Sequence, residues 1–318
     1  MPFSAAYLAF DPHPSSKGAS THITHFYAAL DQTFGPAALL TLPGHEDVSP
    51  ELAERYFAFV SEEPNYLRRG EAFAQWADAW LAEQPNLTLV HFRDIWGGLA
   101  VLRRPHLHSV YEVNGLPSID LNDWQPTPSE VEYAQQWRAE HAPGKSVLGM
   151  VGQLKAKKGL AFFLETLRQI PVQDRMHLLL VGELPEEEQN LLSEVAVSYT
   201  HLPFLDRFEL LKYYPCCDGV CIPSYYDGMP NVLLEAGGLG IPVLASDVDG
   251  MHDVLHDVTP HLLFPVGDAH GLRKVLFDWL QADTATRQGW GQDLKTHIEQ
   301  NYTVAHELDA YENLLASL

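Results

Sequence analysis

The stretch PSYYDGMPNVLLEAGGLGIPVLAS, Pro223–Ser246, holds two carboxylates eight positions apart, Asp227 and Glu235. Before it, DGVCIP reads as a strand ending at Pro223. Ser224 to Gly228 form a loop, NVLLEAGG has helical spacing, and IPVLAS is a second apolar strand. Pro230 suits the first helical position, where a missing N–H costs nothing. The amides of Asn231 and Val232 then stand unpaired at a helix start, which favours an anion, most often phosphate. Glu235 lies four residues beyond Asn231 on the same helix face, about 6 Å further along the axis. A ligand with phosphate at one end and a hydroxylated ribose at the other fits that span. Two readings of the acids stand. In one, Asp227 caps the helix and Glu235 is a solvated acid of its first turn. In the other, Glu235 accepts bonds from ribose hydroxyls and Asp227 from sugar hydroxyls.

Working outward, the flanking sequence alternates apolar runs with amphipathic helices, the pattern of a parallel α/β architecture. In the second half SVLGMVG, HLLLVG, DGVCIP, IPVLAS and HLLFPV read as strands. Helices are expected near Gly159–Ile170, Pro185–Val197, Phe208–Tyr214, Pro230–Leu239 and Ala269–Leu280, with two more over Thr284–Gln300 and Ala305–Leu315. In the first half the strands are AAYLAF, AALLTL, LTLVHF and HLHSVYEV. Helices are expected near Thr21–Phe34, Gly70–Glu83 and Gly97–Arg103, and positions 43–64 read as neither. A polar helix over Ser129–His141 is followed by APGK, and this punctuation puts a domain boundary near Gly144. The expected domains are therefore 1–143, 144–301 and a closing helix, 302–318. In a doubly wound sheet, ligands sit at the carboxyl ends of the strands.

The second ligand-binding element is VGQLKAKKGLAFFLETL, Val151–Leu167. A strand ends at Gly152, a short loop carries Lys155, Lys157 and Lys158, and Lys158-Gly159 opens a helix. The chain has only 20 Lys+Arg against 42 Asp+Glu, for a formal charge of −22. Three lysines within four residues are conspicuous in so acidic a chain. They form either an anion site or an exposed basic loop. The third element, near the N-terminus, is DPHPSSKGASTHITHF. Lys17, Gly18 and Ala19 precede a helix there, either as a close backbone approach to a ligand or as a plain strand–turn–helix connection. In the fourth, VHFRDIWGGLAVL, His91, Arg93 and Asp94 sit where a strand gives way to a helix. Arg93 suits a phosphate or carboxylate, Asp94 a helix cap, and His91 either a ligand contact or a satisfied core position.

Composition narrows the classes. With 318 residues, 46% of them hydrophobic, the chain can bury two cores. Its acidity argues against nucleic-acid partners and anionic lipid surfaces. Cys216, Cys217 and Cys221 have neither disulfide nor zinc spacing. No apolar run reaches the ~20 residues of a membrane span, and the first residues lack a signal-peptide pattern. The expectation is a cytoplasmic protein.

Taken together, these segments resemble the GT-B retaining glycosyltransferases of family four. VGQLKAKKG is similar to the family's G-R-L-x3-K-G loop. DGMPNVLLEAGGLGIPV is similar to its E-G-x-P-N-x-L-L-E-A segment and the strand after it. LLFPVGDAHGL, KGAS and VHFRDIWGG are similar to further family stretches. The resemblance implies two Rossmann-like domains facing across a cleft and metal-independent transfer of a sugar from a nucleotide diphosphate donor, with retention. The acceptor would be a sugar, a glycan or a lipid-linked hydroxyl. No separate cofactor is implied. Lys158 and Asp227 would be the catalytic pair. Gly152, Gln153, Gly228, Met229, Pro230, Asn231, Val232 and Glu235 would hold the donor. Lys17, Gly18, Ala19, His91 and Arg93 would serve the first-domain loop or the acceptor. Three positions depart from the pattern. Gln153 stands where an Arg is frequent, Asp227 where a Glu is usual, and Arg93 where a His is common. These departures motivate an alternative, a non-catalytic sugar-nucleotide-binding or scaffold homologue. An epimerase or phosphorylase of the same fold is a further one.

Overall fold

A computed structural model describes the chain apart from Met1, Ser16, Lys17, Glu46, 113–117, Asp123, Val172 and Gln173, and without the side chains of Gly18, Ala19, Thr21 and Arg207. The chain divides into two compact units, Met1–Asn114 with Glu307–Leu318, and Gly115–His306.

The first unit contains β1 (Ala5–His13), α1 (Gly18–Phe34), β2 (Ala37–Pro43), β3 (Tyr56–Ala58), α2 (Tyr66–Ala82), β4 (Leu89–Phe92), α3 (Ile95–Val101) and β5 (His108–Tyr111). Its sheet runs β3-β2-β1-β4-β5, parallel throughout. The period-two alternation of β1 splits the core. Ala5, Tyr7 and Ala9 face α1, and Ala6 and Leu8 face α2 and α3.

The second unit holds α4 (Pro128–His141), β6 (Ser146–Val151), α5 (Leu160–Leu167), β7 (Met176–Val181), α6 (Glu186–Glu194), β8 (Ser198–Leu202) and α7 (Arg207–Leu210). It continues with β9 (Gly219–Ile222), α8 (Asn231–Gly238), β10 (Val243–Ser246), α9 (Asp249–Leu255), β11 (Leu263–Phe264), α10 (Ala269–Gln281) and α11 (Thr284–Asn301). The sheet order is β11-β10-β9-β6-β7-β8, again parallel. Leu148, Met150, Leu178 and Leu180 pack under α5 and α10 on one face. Val147, Leu179, Val220 and Val243 pack under α8 and α11 on the other. Strands buried on both faces read as continuous apolar runs, which is why the sequence located most of them.

The last helix, α12 (Val304–Ser317), supplies Tyr311 and Leu315 to the core of the first unit. Packing starts the second unit at Gly115 rather than near Gly144. The reason is hydrophobic: Ile119, Trp124, Ala134 and Trp137 are all buried in that unit's core. Three elements were not expected from the sequence. β3 is short and half-buried, β8 alternates half-buried and exposed positions, and α9 has only seven residues. The helix expected over Phe208–Tyr214 shrinks to α7 plus a 3₁₀ turn at Tyr214–Cys216, because Pro215 cannot continue it. Among the described residues, no helix is long and apolar enough to cross a membrane.

His177 on β7 is buried, with Nδ1 3.0 Å from Ser198 Oγ and Nε2 3.0 Å from Thr200 Oγ1. Burial, helped by the charges of Lys145 and His141, pushes its pKa down to about 4. Burial also lowers that of His91. As pH falls below the unfolded value near 6.5, the unfolded chain takes up these protons before the folded one does. For His177, stability should therefore fall between pH 6.5 and about 4, by up to about 1.4 kcal/mol per pH unit, and His91 adds to the loss in the same direction. Urea unfolding across that range should show a shallower slope for His177→Gln than for the wild type.

Candidate active site at the carboxyl ends of β6 and β9

Two loops meet at the carboxyl ends of β6 and β9. The first leaves β6 through Gly152, whose φ of 118° is one that side chains disfavour. It ends in a 3₁₀ turn at Ala156–Lys158 and then Gly159, with φ 73°. A Cβ on Gly159 would lie 1.9 Å from the Pro223 carbonyl oxygen, so the backbones touch there. The second loop, after β9, is tied to the first by a bond from the Tyr225 amide to the Lys157 carbonyl, 2.9 Å. Gly250 of α9 packs on the same loop from behind, where a Cβ would come within 2.7 Å of the Met229 nitrogen.

These contacts bring Lys158 to Asp227. The ammonium and the carboxylate form an ion pair with a direct hydrogen bond, their side chains 25% and 14% exposed. Ser224 Oγ donates to the same Asp227 oxygen at 3.4 Å. Asp227 does not cap α8. The cap position is taken by Pro230, and the helix starts at Asn231, one residue later than its sequence suggests. Pro230 is extended, with ψ 137°, and its carbonyl accepts from the Leu233 amide at 2.9 Å. The amides of Asn231 and Val232 fall in the first turn, where a helix has no acceptor to offer them.

Glu235 is not a solvated acid. The hydroxyl of the fully buried Tyr214 donates to its Oε2 at 2.7 Å. The Trp124 indole donates to the Glu235 backbone carbonyl at 2.8 Å. Burial, and then the charge of Glu235, hold the Tyr214 pKa well above its ordinary value, so this hydroxyl keeps its proton as a donor.

Gln153, Lys158, Ser224, Pro230 and Val232 line one crevice, which also reaches Met150 and Cys221 beneath. Its volume is about 20 Å³, room for about one water. Gly152, Asp227, Gly228, Met229, Asn231 and Glu235 are not among its lining residues. Gly228 and Asn231 are exposed, and Met229 is buried.

The first-unit residues form a separate cluster. Arg93 is buried, with Nε 3.4 Å from Asp11 Oδ2 and Nη1 3.4 Å from Glu112 Oε1. His91 is buried between the Tyr311 hydroxyl, 2.6 Å from Nδ1, and Glu112, 3.3 Å from Nε2. Tyr7 donates to Glu112 as well. Burial pushes the Glu112 pKa up, but bonds from His91 and Tyr7 and the charge of Arg93 overcome it and hold it below its ordinary value. Asp94 caps α3, accepting from the Trp96 and Gly97 amides. Lys17 lies outside the described residues, as do the side chains of Gly18 and Ala19. The backbone of Gly18 opens α1. The residues that sequence reading missed are Glu112, Tyr214 and Tyr311. Each carries the ordinary look of a strand or helix residue, and only tertiary contact gives it a polar partner.

Residues 145–281 match the family described as glycosyl transferases group 1. The matched residues all fall within the second unit. A D-inositol 3-phosphate glycosyltransferase of Nocardia farcinica is 29% identical over 160 residues, covering 46% of this chain and 35% of the relative. The chain also spans only 35% of an uncharacterized glycosyltransferase of Methanocaldococcus jannaschii, at 29% identity over 41% of this chain. The fold extends further than the sequence match. A solved structure of Anabaena HepE in complex with UDP and glucose superposes with a TM-score of 0.69 at 15% identity, covering 99% of this chain and 100% of that one. The two parallel α/β units have the GT-B glycosyltransferase fold.

Gly159 and Gly144 share a φ near +70°, but only Gly159 faces a backbone atom; a Cβ on Gly144 meets nothing within 4 Å. Each should lose about 1–3 kcal/mol to backbone strain on substitution by alanine. Gly159→Ala should lose measurably more in urea unfolding, because the Pro223 loop must also move.

Proposed function

We propose that the chain is a retaining glycosyltransferase that moves a sugar from a nucleotide diphosphate donor to an acceptor hydroxyl. The observation that carries this reading is the crevice shared by Lys158 and the start of α8. One cation and one set of helix amides approach the same point from two loops. Diphosphate departure leaves an oxocarbenium-like sugar and concentrates negative charge on the leaving oxygens. Preorganised donors aimed at that charge stabilise the transition state, an effect worth ~10²–10³ in rate for a single group.

Each residue then has a task. Lys158 and the Asn231 and Val232 amides neutralise the diphosphate, with Gln153 and Gly152 beside them. Glu235, oriented by Tyr214, accepts from the ribose hydroxyls one helical turn further on. The backbone from Gly228 to Val232 follows the phosphates and the donor sugar. Asp227 is paired with Lys158, so donor binding exchanges a carboxylate for a phosphate at the ammonium. Asp227 is then released to accept from a sugar hydroxyl. The same exchange opens a crevice that otherwise has room for about one water. No divalent metal is needed in this scheme, because the lysine and the helix start supply the positive potential. The first unit is the proposed acceptor side, with the Gly18 backbone at the helix start. His91 serves there by holding Glu112 rather than by touching substrate. A sugar, a glycan or a lipid-linked alcohol all remain within this reading. UDP-glucose, the ligand named with a second solved structure of Anabaena HepE, is the first donor to try.

Glu235→Ala should raise the Kd for UDP at least about tenfold, measured by calorimetry. Lys158→Ala should lower turnover about 10²-fold with a smaller effect on nucleotide binding. Wild-type values for both variants, at saturating and limiting donor, would remove the assignment. Release of nucleotide diphosphate only when acceptor is added separates transfer from simple binding by a non-catalytic homologue. Turnover should survive excess chelator; loss on chelation and recovery with magnesium or manganese would contradict the metal-free scheme.

A further inference from the structure

We infer that the second unit carries another ligand site, at the amino ends of β6 and β9, and that its ligand is a small phosphorylated anion. A cavity of about 390 Å³ opens there, lined by Arg138, Lys145 and Arg287 with Ser146, Asp218 and Thr284. Ser146 begins β6, and Asp218 directly precedes β9. The cavity is therefore the length of β6 away from the candidate donor crevice, roughly 20 Å at 3.3 Å per residue.

Charge is the first argument. The chain carries 42 acidic and 20 basic Lys and Arg side chains. Three of those cations converge on this cavity, with one carboxylate among its lining residues. That carboxylate, Asp218, is already engaged. Its Oδ2 lies 2.9 Å from Arg138 Nη2 and accepts from the Val147 amide at 2.8 Å. A second acid, Asp283, caps α11 by accepting from the Thr286 amide; that bonding, and then the charge of Arg287, lowers its pKa. Three cations against these two carboxylates leave the local balance positive in a chain whose formal charge is −22, and like charges held together favour a bound anion.

Preorganisation is the second argument. The Arg287 guanidinium lies over the Trp279 ring, 5.2 Å from its centroid, and donates to Ser146 Oγ at 2.7 Å. Its Nε is buried and has no hydrogen-bond partner among the described residues. Lys145 donates to Ser198 Oγ at 3.0 Å, and Arg138 to the Cys216 carbonyl at 2.6 Å. Arg287 and Lys145 each donate to a serine hydroxyl, and Arg138 is held by the Asp218 carboxylate and a backbone carbonyl, so the three cations are positioned before a ligand arrives. The volume is the third argument. It lies within the ~300–1,000 Å³ of small-molecule pockets, which suits a phosphate carried on an organic body.

The test uses the full chain with inorganic phosphate, pyrophosphate and glucose 6-phosphate as probes in calorimetry. A tungstate-soaked crystal reports position. The expected result is saturable binding, with glucose 6-phosphate tighter than inorganic phosphate. Lys145→Gln should weaken it about tenfold or more, Lys158→Ala should leave it unchanged, and a tungstate peak should lie between Lys145 and Arg287. Arg287→Lys keeps the charge and should retain most of the binding, which separates loss of the site from loss of folding. The inference is overturned if none of the probes binds saturably. It also falls if folded Lys145→Gln binds like wild type, if inorganic phosphate binds as tightly as the sugar phosphate, or if Lys158→Ala abolishes binding. The last outcome would instead place the anion at the donor crevice and leave the glycosyltransferase reading intact.

Discussion

The candidate site rests on a backbone contact between two loops. Gly159 lies so close to the Pro223 carbonyl that only hydrogen fits between them, and the next turn of each loop is joined by the amide of Tyr225. The loops leave the carboxyl ends of adjacent parallel strands, β6 and β9, where open α/β sheets place their ligands. Without that contact, a lysine on one loop and a helix start on the other would be independent features. With it, they are parts of one electrostatic device.

That device is held in a compensated state. Lys158 and Asp227 are both largely shielded from water, so their attraction is less screened than that of a surface pair, and neither bears the full cost of lone burial. The pair keeps a cationic centre intact within a strongly acidic molecule. In the proposed reading, an incoming diphosphate has to offer more than one carboxylate does, with two phosphoryl groups and the adjacent helix amides to do so. Glu235 follows a different logic. Its orientation comes from Tyr214 below and Trp124 beside the helix, groups fixed by burial in the core. The loop pair is the part that the proposed donor would displace, whereas the helix acid is held in place beforehand.

Much of this was legible in the sequence because the signals were local. Strands buried on both faces appear as apolar runs, and β6, β7, β9 and β10 were read on that basis. Lys158-Gly159 and DGMPN lie beside strand ends, so their meeting at one place followed from topology alone. What the sequence concealed depends on contacts between distant residues. Arg93 looked like a ligand-facing cation until the fold surrounded it with Asp11 and Glu112. Glu112 and Tyr311 have no local pattern that marks them, since their partner His91 is far away along the chain. The boundary near Gly144 followed Pro/Gly punctuation, whereas the fold follows Trp124 and Trp137 into the second core. β3 and β8 escaped notice because edge strands are short and half-exposed, which removes the apolar run by which the others were recognised.

The first unit is assembled from two pieces of chain that are separated by the whole of the second. Tyr311 and Leu315 complete a core begun by Ala5, Tyr7 and Ile23, and Tyr311 bonds to His91 within it. During synthesis, that core has to wait for some two hundred intervening residues to leave the ribosome. The later-made unit thus has the means to fold first, while the earlier-made one stands unfinished with apolar surface uncovered. Vectorial synthesis and final architecture run in opposite orders, and the apolar surface of the first unit stays uncovered until α12 docks.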